Sequence, residues 1–160
     1  MMIEQHIQFT VDSCPVAQPR ARHSAHGGRA ITYGAPKSHP IHDFKYAVRQ
    51  RALAEMDLRS PLEGPLLLSI DFYLPRPAKH DAMTGRGASK QAKYPDGPIP
   101  HTGKPDLDNL IKAVKDALKG VTWKDDSQVF RYGMMGKYHH AKGGRPYVFV
   151  HIRTIEETQP

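Results

Sequence analysis

The 160-residue chain is expected to form one α+β domain: a small mixed β-sheet with two main helices, in the order β-α-β-α-β-β. Alternating apolar residues mark short strands, two stretches repeat their apolar residues at helical spacing, and Pro- and Gly-rich runs separate them. A hydrophobic content of 39% over this length supports a single core. The domain is therefore taken to run from 1 to 160, with long basic loops at 12–40 and 76–104.

Ile7, Phe9 and Val11 alternate with Gln8 and Thr10, as in a half-buried strand. Asp12 to Pro40 has no usable period and reads as a long surface loop carrying Arg20, Arg22 and Arg29. Asp43 opens a helix of about four turns, with Phe44, Ala47, Val48, Ala52 and Met56 at helical spacing and an end before Pro61. Leu66, Leu68, Ile70, Phe72 and Leu74 make a second strand, closed by Pro75 and Pro77. Arg76 to Lys104 is again aperiodic and is expected to be mobile, either as a solvated loop or as an arm that orders on DNA. Leu107, Leu110, Ile111, Val114 and Leu118 give the cleanest amphipathic helix, terminated by Gly120. Strands over Val129 to Lys137 and Tyr147 to Arg153 follow, joined by a basic turn from Tyr138 to Arg145.

Lys and Arg number 23 against 16 Asp and Glu, for a formal charge of +7, which favours a polyanionic partner. Phosphate contacts are assigned to the loop cations Arg20, Arg22, Lys79, Arg86, Lys90, Lys93 and Lys104. No apolar run reaches the roughly 18 residues of a membrane span, and Glu4, Gln5, His6 and Asp12 interrupt the region where a signal peptide would be apolar. The single Cys14 cannot pair within the chain. A cytoplasmic protein without a membrane partner is expected.

Within this basic chain stand Asp106 and Asp108, followed by Asp125 and Asp126. Such carboxylates repel a polyanion unless a divalent cation neutralises them, a combination that points to a metal-dependent nuclease. Pro105 biases Lys104 away from helical geometry, and Asp108 is the expected N-cap; with the helix starting there, Asp106 and Asp108 face one metal. Carboxylate ligands without Cys or closely spaced His favour Mg²⁺, with Mn²⁺ as a substitute, and His139-His140 is read as exposed and structural. Lys112 lies four residues from both Asp108 and Asp116. It forms either an ion-pair ladder or a cation that stabilises charge on the scissile phosphate. Lys112 is given the catalytic role and Asp116 the structural one. The plainer alternative is a non-catalytic nucleic-acid-binding module whose acids cap a helix and fill a turn; a small-molecule metallohydrolase would leave the basic loops without a purpose.

Read together, Lys104-Pro105-Asp106-Leu107-Asp108-Asn109-Leu110-Ile111-Lys112, Asp116-Ala117-Leu118 and Trp123-Lys124-Asp125-Asp126-Ser127-Gln128-Val129 resemble the signature of RusA-type Holliday junction resolvases. Gln18-Pro19-Arg20-Ala21-Arg22 is similar to the entry loop of phage and prophage members. The resemblance implies a homodimeric, Mg²⁺-dependent crossover junction endodeoxyribonuclease that nicks opposed strands of a four-way junction symmetrically, in recombination and repair. It implies that Asp106, Asp108 and Asp126 are the catalytic, metal-binding carboxylates and that Lys112 is the catalytic lysine. Asp125 matches a neighbouring acid whose role stays open. Two departures from the pattern, an Asp108-to-Asp126 spacing one residue short and an insertion from Lys79 to Gly103, leave DNA contacts and sequence preference open.

Overall fold

The structure, a computed structural model, describes residues 5–155, so the ends of the expected 1–160 domain lie outside it. Along the chain run β1 (His6–Val11), the hairpin strands β2 (Arg22–His26) and β3 (Arg29–Tyr33), and helix α1 (Ile41–Met56). Next come β4 (Leu66–Leu74) and the two-residue strands β5 (Met83–Thr84), β6 (Gln91–Ala92) and β7 (Ile99–Pro100). Helix α2 (Leu107–Leu118), β8 (Val129–His139) and β9 (Tyr147–Thr154) complete the α+β fold. Its long elements keep the order read from the sequence.

Five strands form one mixed sheet in the order β1-β9-β4-β8-β7. β4 and β8 are parallel and the other neighbours antiparallel. A parallel pair needs a crossover connection, and α2 lies within it. Alternate residues of the strands supply the core: Leu66, Leu68, Ile70 and Phe72 of β4, Val148, Val150 and Ile152 of β9, Ile7 and Phe9 of β1. Phe44, Val48 and Ala52 of α1 and Leu110, Val114 and Leu118 of α2 join the same buried cluster. Removing this apolar surface from water is what fixes α2, and with it the acidic residues at its start.

Both helix starts differ from expectation. α1 begins at Ile41 behind Pro40, with Asp43 in its first turn. At α2 the N-cap is Asp106, in extended geometry (φ −71°, ψ 141°), and Asp108 sits inside the first turn. The first helical bond runs from the Leu110 N–H to the Asp106 carbonyl at 3.2 Å, two residues earlier than an Asp108 cap allows. At the other end Gly120 follows the C-cap Lys119 at φ +77°, the left-handed conformation that glycine takes without steric cost.

The two basic loops contain more structure than their aperiodic sequences suggest. The β2–β3 hairpin turns at Gly27 and Gly28, with φ of 58° and 78°, the positive-φ pair that a two-residue hairpin turn requires. In the 76–104 segment β7 adds to the sheet beside the end of β8, and β5 pairs with β6. The Arg76 side chain, only 2% exposed, ties this segment together. Its guanidinium donates to Asp81 Oδ1 at 2.7 Å and to the carbonyls of Pro95 (2.7 Å), Gly97 (3.0 Å) and His80 (3.3 Å). Satisfying its donors is what makes burial of this charge tolerable. β8 extends through Tyr138 and His139, which shortens the expected basic turn, and His139 and His140 are half-buried instead of exposed. Among the described residues no helix is long and apolar enough to cross a membrane.

Candidate active site

The start of α2 is held from two sides. From β8, the Lys137 ammonium donates to the carbonyl of Gly103 and to that of Pro105 at 2.6 Å, while the His101 N–H donates back to the Lys137 carbonyl at 3.0 Å. From the N-terminal loop, the Gln18 N–H donates to the Asn109 carbonyl at 2.9 Å, which ties Gln18 to the first turn of α2. Asp106 and Asp108 are both exposed here, and the cap makes no side-chain hydrogen bond. Their negative charge is favoured by the positive end of the helix dipole.

The second acidic pair lies at the opposite end of α2. Trp123 is fully buried, and its indole N–H donates to Asp126 Oδ1 at 2.9 Å. Asp125 caps the short 3₁₀ turn Asp126–Gln128 by accepting from the Ser127 N–H at 3.0 Å, while Gln128 accepts from the Asp125 N–H at 3.1 Å. Its other oxygen meets Lys119 Nζ at 2.8 Å. The Lys119 hydrogen bond, followed by the Ser127 N–H, holds the Asp125 carboxyl well below the usual carboxylate range. Asp125 is therefore a cap and ion-pair partner, whereas Asp126 is aimed by a core side chain.

A 12-residue helix is about 18 Å long, so the Asp126 turn, tied to the C-cap Lys119, stands far from Asp106 at the N-cap. Among the described residues no group of three or more acidic, histidine or cysteine side chains stands close enough to hold a metal ion. The oxygen donors suit a hard divalent cation, but one chain does not gather Asp106, Asp108 and Asp126 around it. The chain after α2 does not return the Asp125-Asp126 pair to the helix start. Val121 and Trp123 are buried, and the Leu62 N–H bonds the Thr122 carbonyl at 2.8 Å, which fixes the turn at the far end.

Lys112 is exposed, with no ion pair to an acid among the described residues. Asp116 keeps a structural role, but with Lys45 of α1 at 2.8 Å, an interhelical pair in place of the alternative ladder with Lys112. Lys112, Lys115 and Lys119 follow one another at helical spacing between the two acidic ends. Lys115 donates to the Tyr132 hydroxyl at 3.2 Å, over the ring of that tyrosine. Arg20, Arg22, Lys79, Arg86, Lys90, Lys93 and Lys104 are all exposed. Trp123, Lys137 and Arg76 hold the site and its neighbouring segment in place and were not singled out by sequence; only Trp123, three residues before Asp126, lay inside a recognisable motif.

Residues 12–153 match the family model described as Endodeoxyribonuclease RusA. The chain is also 36% identical over 125 residues to YqaN, an uncharacterised protein of Bacillus subtilis (strain 168), covering 77% of this chain and 81% of that one. The match defines a nuclease, a hydrolase of phosphodiester bonds in DNA. The chain belongs to the RusA endodeoxyribonuclease family, whose nucleases act on Holliday junctions and are generally dependent on divalent metal.

Proposed function

We propose that this protein is a Mg²⁺-dependent resolvase that cuts four-way DNA junctions by paired, symmetric nicks, as a homodimer serving recombination and repair in the cytoplasm of a bacterium, encoded by a phage or prophage. The observation that carries this reading is the exposed Asp106–Asp108 pair at a helix start on a chain of charge +7. Asp106, Asp108 and Asp126 would hold the metal, with Mn²⁺ able to substitute. Such a metal, when bound, supplies an activated water and neutralises charge on the phosphate. Lys112, one turn beyond Asp108, presents its ammonium to the developing negative charge of the scissile group. Arg20, Arg22, Lys79, Arg86, Lys90, Lys93 and Lys104 grip phosphates and set register, while junction shape selects the substrate.

Two observations favour the homodimer. One chain keeps Asp126 at the far end of α2 from Asp106 and Asp108, and a second copy would offer its own Asp126 to complete the set. β7 pairs with β8 only at Tyr138 and His139, and the uncovered part of β8 exposes Phe130 (58%), Tyr132 (50%) and Met134 (72%). A two-fold contact about the middle of this strand would set the Asp126 end of one copy against the Asp106 end of its partner, with the symmetry of the junction itself.

Incubating the protein with end-labelled four-way junction and matched linear duplex, in Mg²⁺ or chelator, tests the reading. Paired nicks in the junction that require Mg²⁺ are expected. Junction binding without scission in Mg²⁺ would leave a non-catalytic binding module.

A further inference from the structure

Three imidazoles touch where the 76–104 segment meets the sheet. His139, at the end of β8, has its ring centroid 4.8 Å from that of His80 and 4.4 Å from that of His101, and Tyr94 lies 4.3 Å from His80. His80 and Tyr94 belong to the segment, His101 follows β7, and His139 belongs to the sheet.

The hydrogen bonds assign protons to two neighbouring rings. His139 Nδ1 is 2.8 Å from the Pro75 carbonyl, and a carbonyl only accepts, so Nδ1 carries the proton and Nε2 is the basic site. By the same logic His140 donates from Nδ1 to the Ala141 carbonyl at 2.8 Å, and its Nε2 accepts from the Arg76 N–H at 3.3 Å, a bond that requires a neutral ring. His80 Nδ1 and His101 Nδ1 are buried without a hydrogen-bond partner. A proton added at His80 Nδ1 would become a buried donor with no acceptor.

The surrounding charges oppose protonation as well. His80 is faced by His139, Lys79, Arg76 and Asp81, and the only acid among them is already engaged by the Arg76 guanidinium. His101 is faced by His139 and Lys137, which together with burial outweigh the backbone hydrogen bonds at His101 and Gly103 that favour its charged form. His139 lies between the other two rings.

We propose that this cluster is a pH-sensitive latch, in which neutral rings dock the 76–104 segment on the sheet and protonation releases it. Burial first, and His139 second, holds His80 and His101 below the ordinary histidine range. The docked form is therefore fully favoured above the ordinary value of about 6.5 and loses stability as pH falls below it, until the folded rings protonate too. Release also reaches the start of α2, because Lys137, which faces His101, binds the Gly103 and Pro105 carbonyls just before Asp106. Only this last consequence rests on the proposed function; the latch does not.

The test follows histidine ring and backbone amide NMR signals of the full chain from about pH 8 to about pH 5, without DNA. His80 and His101 should titrate below the ordinary histidine value, with amides between 78 and 100 shifting together at that midpoint and β4 amides unmoved. Titration at the ordinary value, or a segment indifferent to it, would overturn the latch. His139→Gln removes the ring shared by both partners, and His101→Gln removes one partner; each should move the segment's midpoint upward. An unchanged midpoint in either folded variant also overturns it, and the wild-type titration decides alone if neither variant folds.

Discussion

Trp123, fully buried, donates its indole N–H to Asp126 Oδ1 at 2.9 Å, so the core sets the position of this acid. A hydrogen bond to a charged group contributes about 1.5–3 kcal/mol. Trp123→Phe keeps an aromatic ring in the core and removes that bond. Junction cleavage under single-turnover conditions should fall roughly tenfold to a hundredfold, with binding retained and the melting temperature lowered. Cleavage at the wild-type rate would mean that Asp126 does not depend on its indole anchor.

Lys112 separates structure from chemistry cleanly, since it makes no ion pair to an acid among the described residues. Lys112→Ala should change stability by no more than about 0.5 kcal/mol, as is usual for a surface site. Cleavage should fall by at least about tenfold, the scale of a lost charge-stabilising contact. A rate within a few-fold of wild type would make Lys112 a solvated surface lysine.

Asp125 and Lys119 give a pH prediction. The Asp125 carboxyl is held down by Lys119 and by the Ser127 N–H, so its contribution to stability is present above its unfolded value of about 3.9 and is lost as pH falls through the folded one. Lys119→Met removes the larger cause. A carboxyl-carbon NMR titration should then place Asp125 closer to the ordinary range than in the wild type, and an unmoved titration would show that the turn's own N–H bond suffices.

These relationships mark where sequence reading reaches and where it stops. The long strands and α2 were legible because their apolar residues recur at periods of two and 3.6, and burial of that one face decides the element. The β2–β3 hairpin was not, because its strands Arg22–His26 and Arg29–Tyr33 carry no apolar alternation and only Gly27-Gly28 signalled a turn. Both acidic pairs were visible as residues. Their separation was not, since it depends on the buried Val121-to-Trp123 return beside Leu62, a tertiary contact with no local pattern. The clamps made by Arg76 and Lys137 were hidden for the same reason: each looks like any other cation until its acceptors are in place.

The loop cations should dominate the salt dependence of binding, as each neutralised phosphate contributes about −0.9 to the slope of log K against log salt. Replacing Lys79, Lys90 and Lys93 together by Gln should flatten that slope by up to roughly three units. An unchanged slope would move the DNA footprint away from the 76–104 segment, toward the lysine stripe of α2.

The proposed service of Asp106 and Asp108 in metal-dependent cleavage of branched DNA is tested most directly by comparing wild type, Asp106→Asn and Asp108→Asn on an end-labelled four-way junction in Mg²⁺, with binding measured in parallel. Each substitution removes one carboxylate charge and leaves the basic surface intact. All three proteins are expected to bind the junction and only the wild type to cut it, whereas near-normal cutting by both variants would contradict the proposed roles of Asp106 and Asp108.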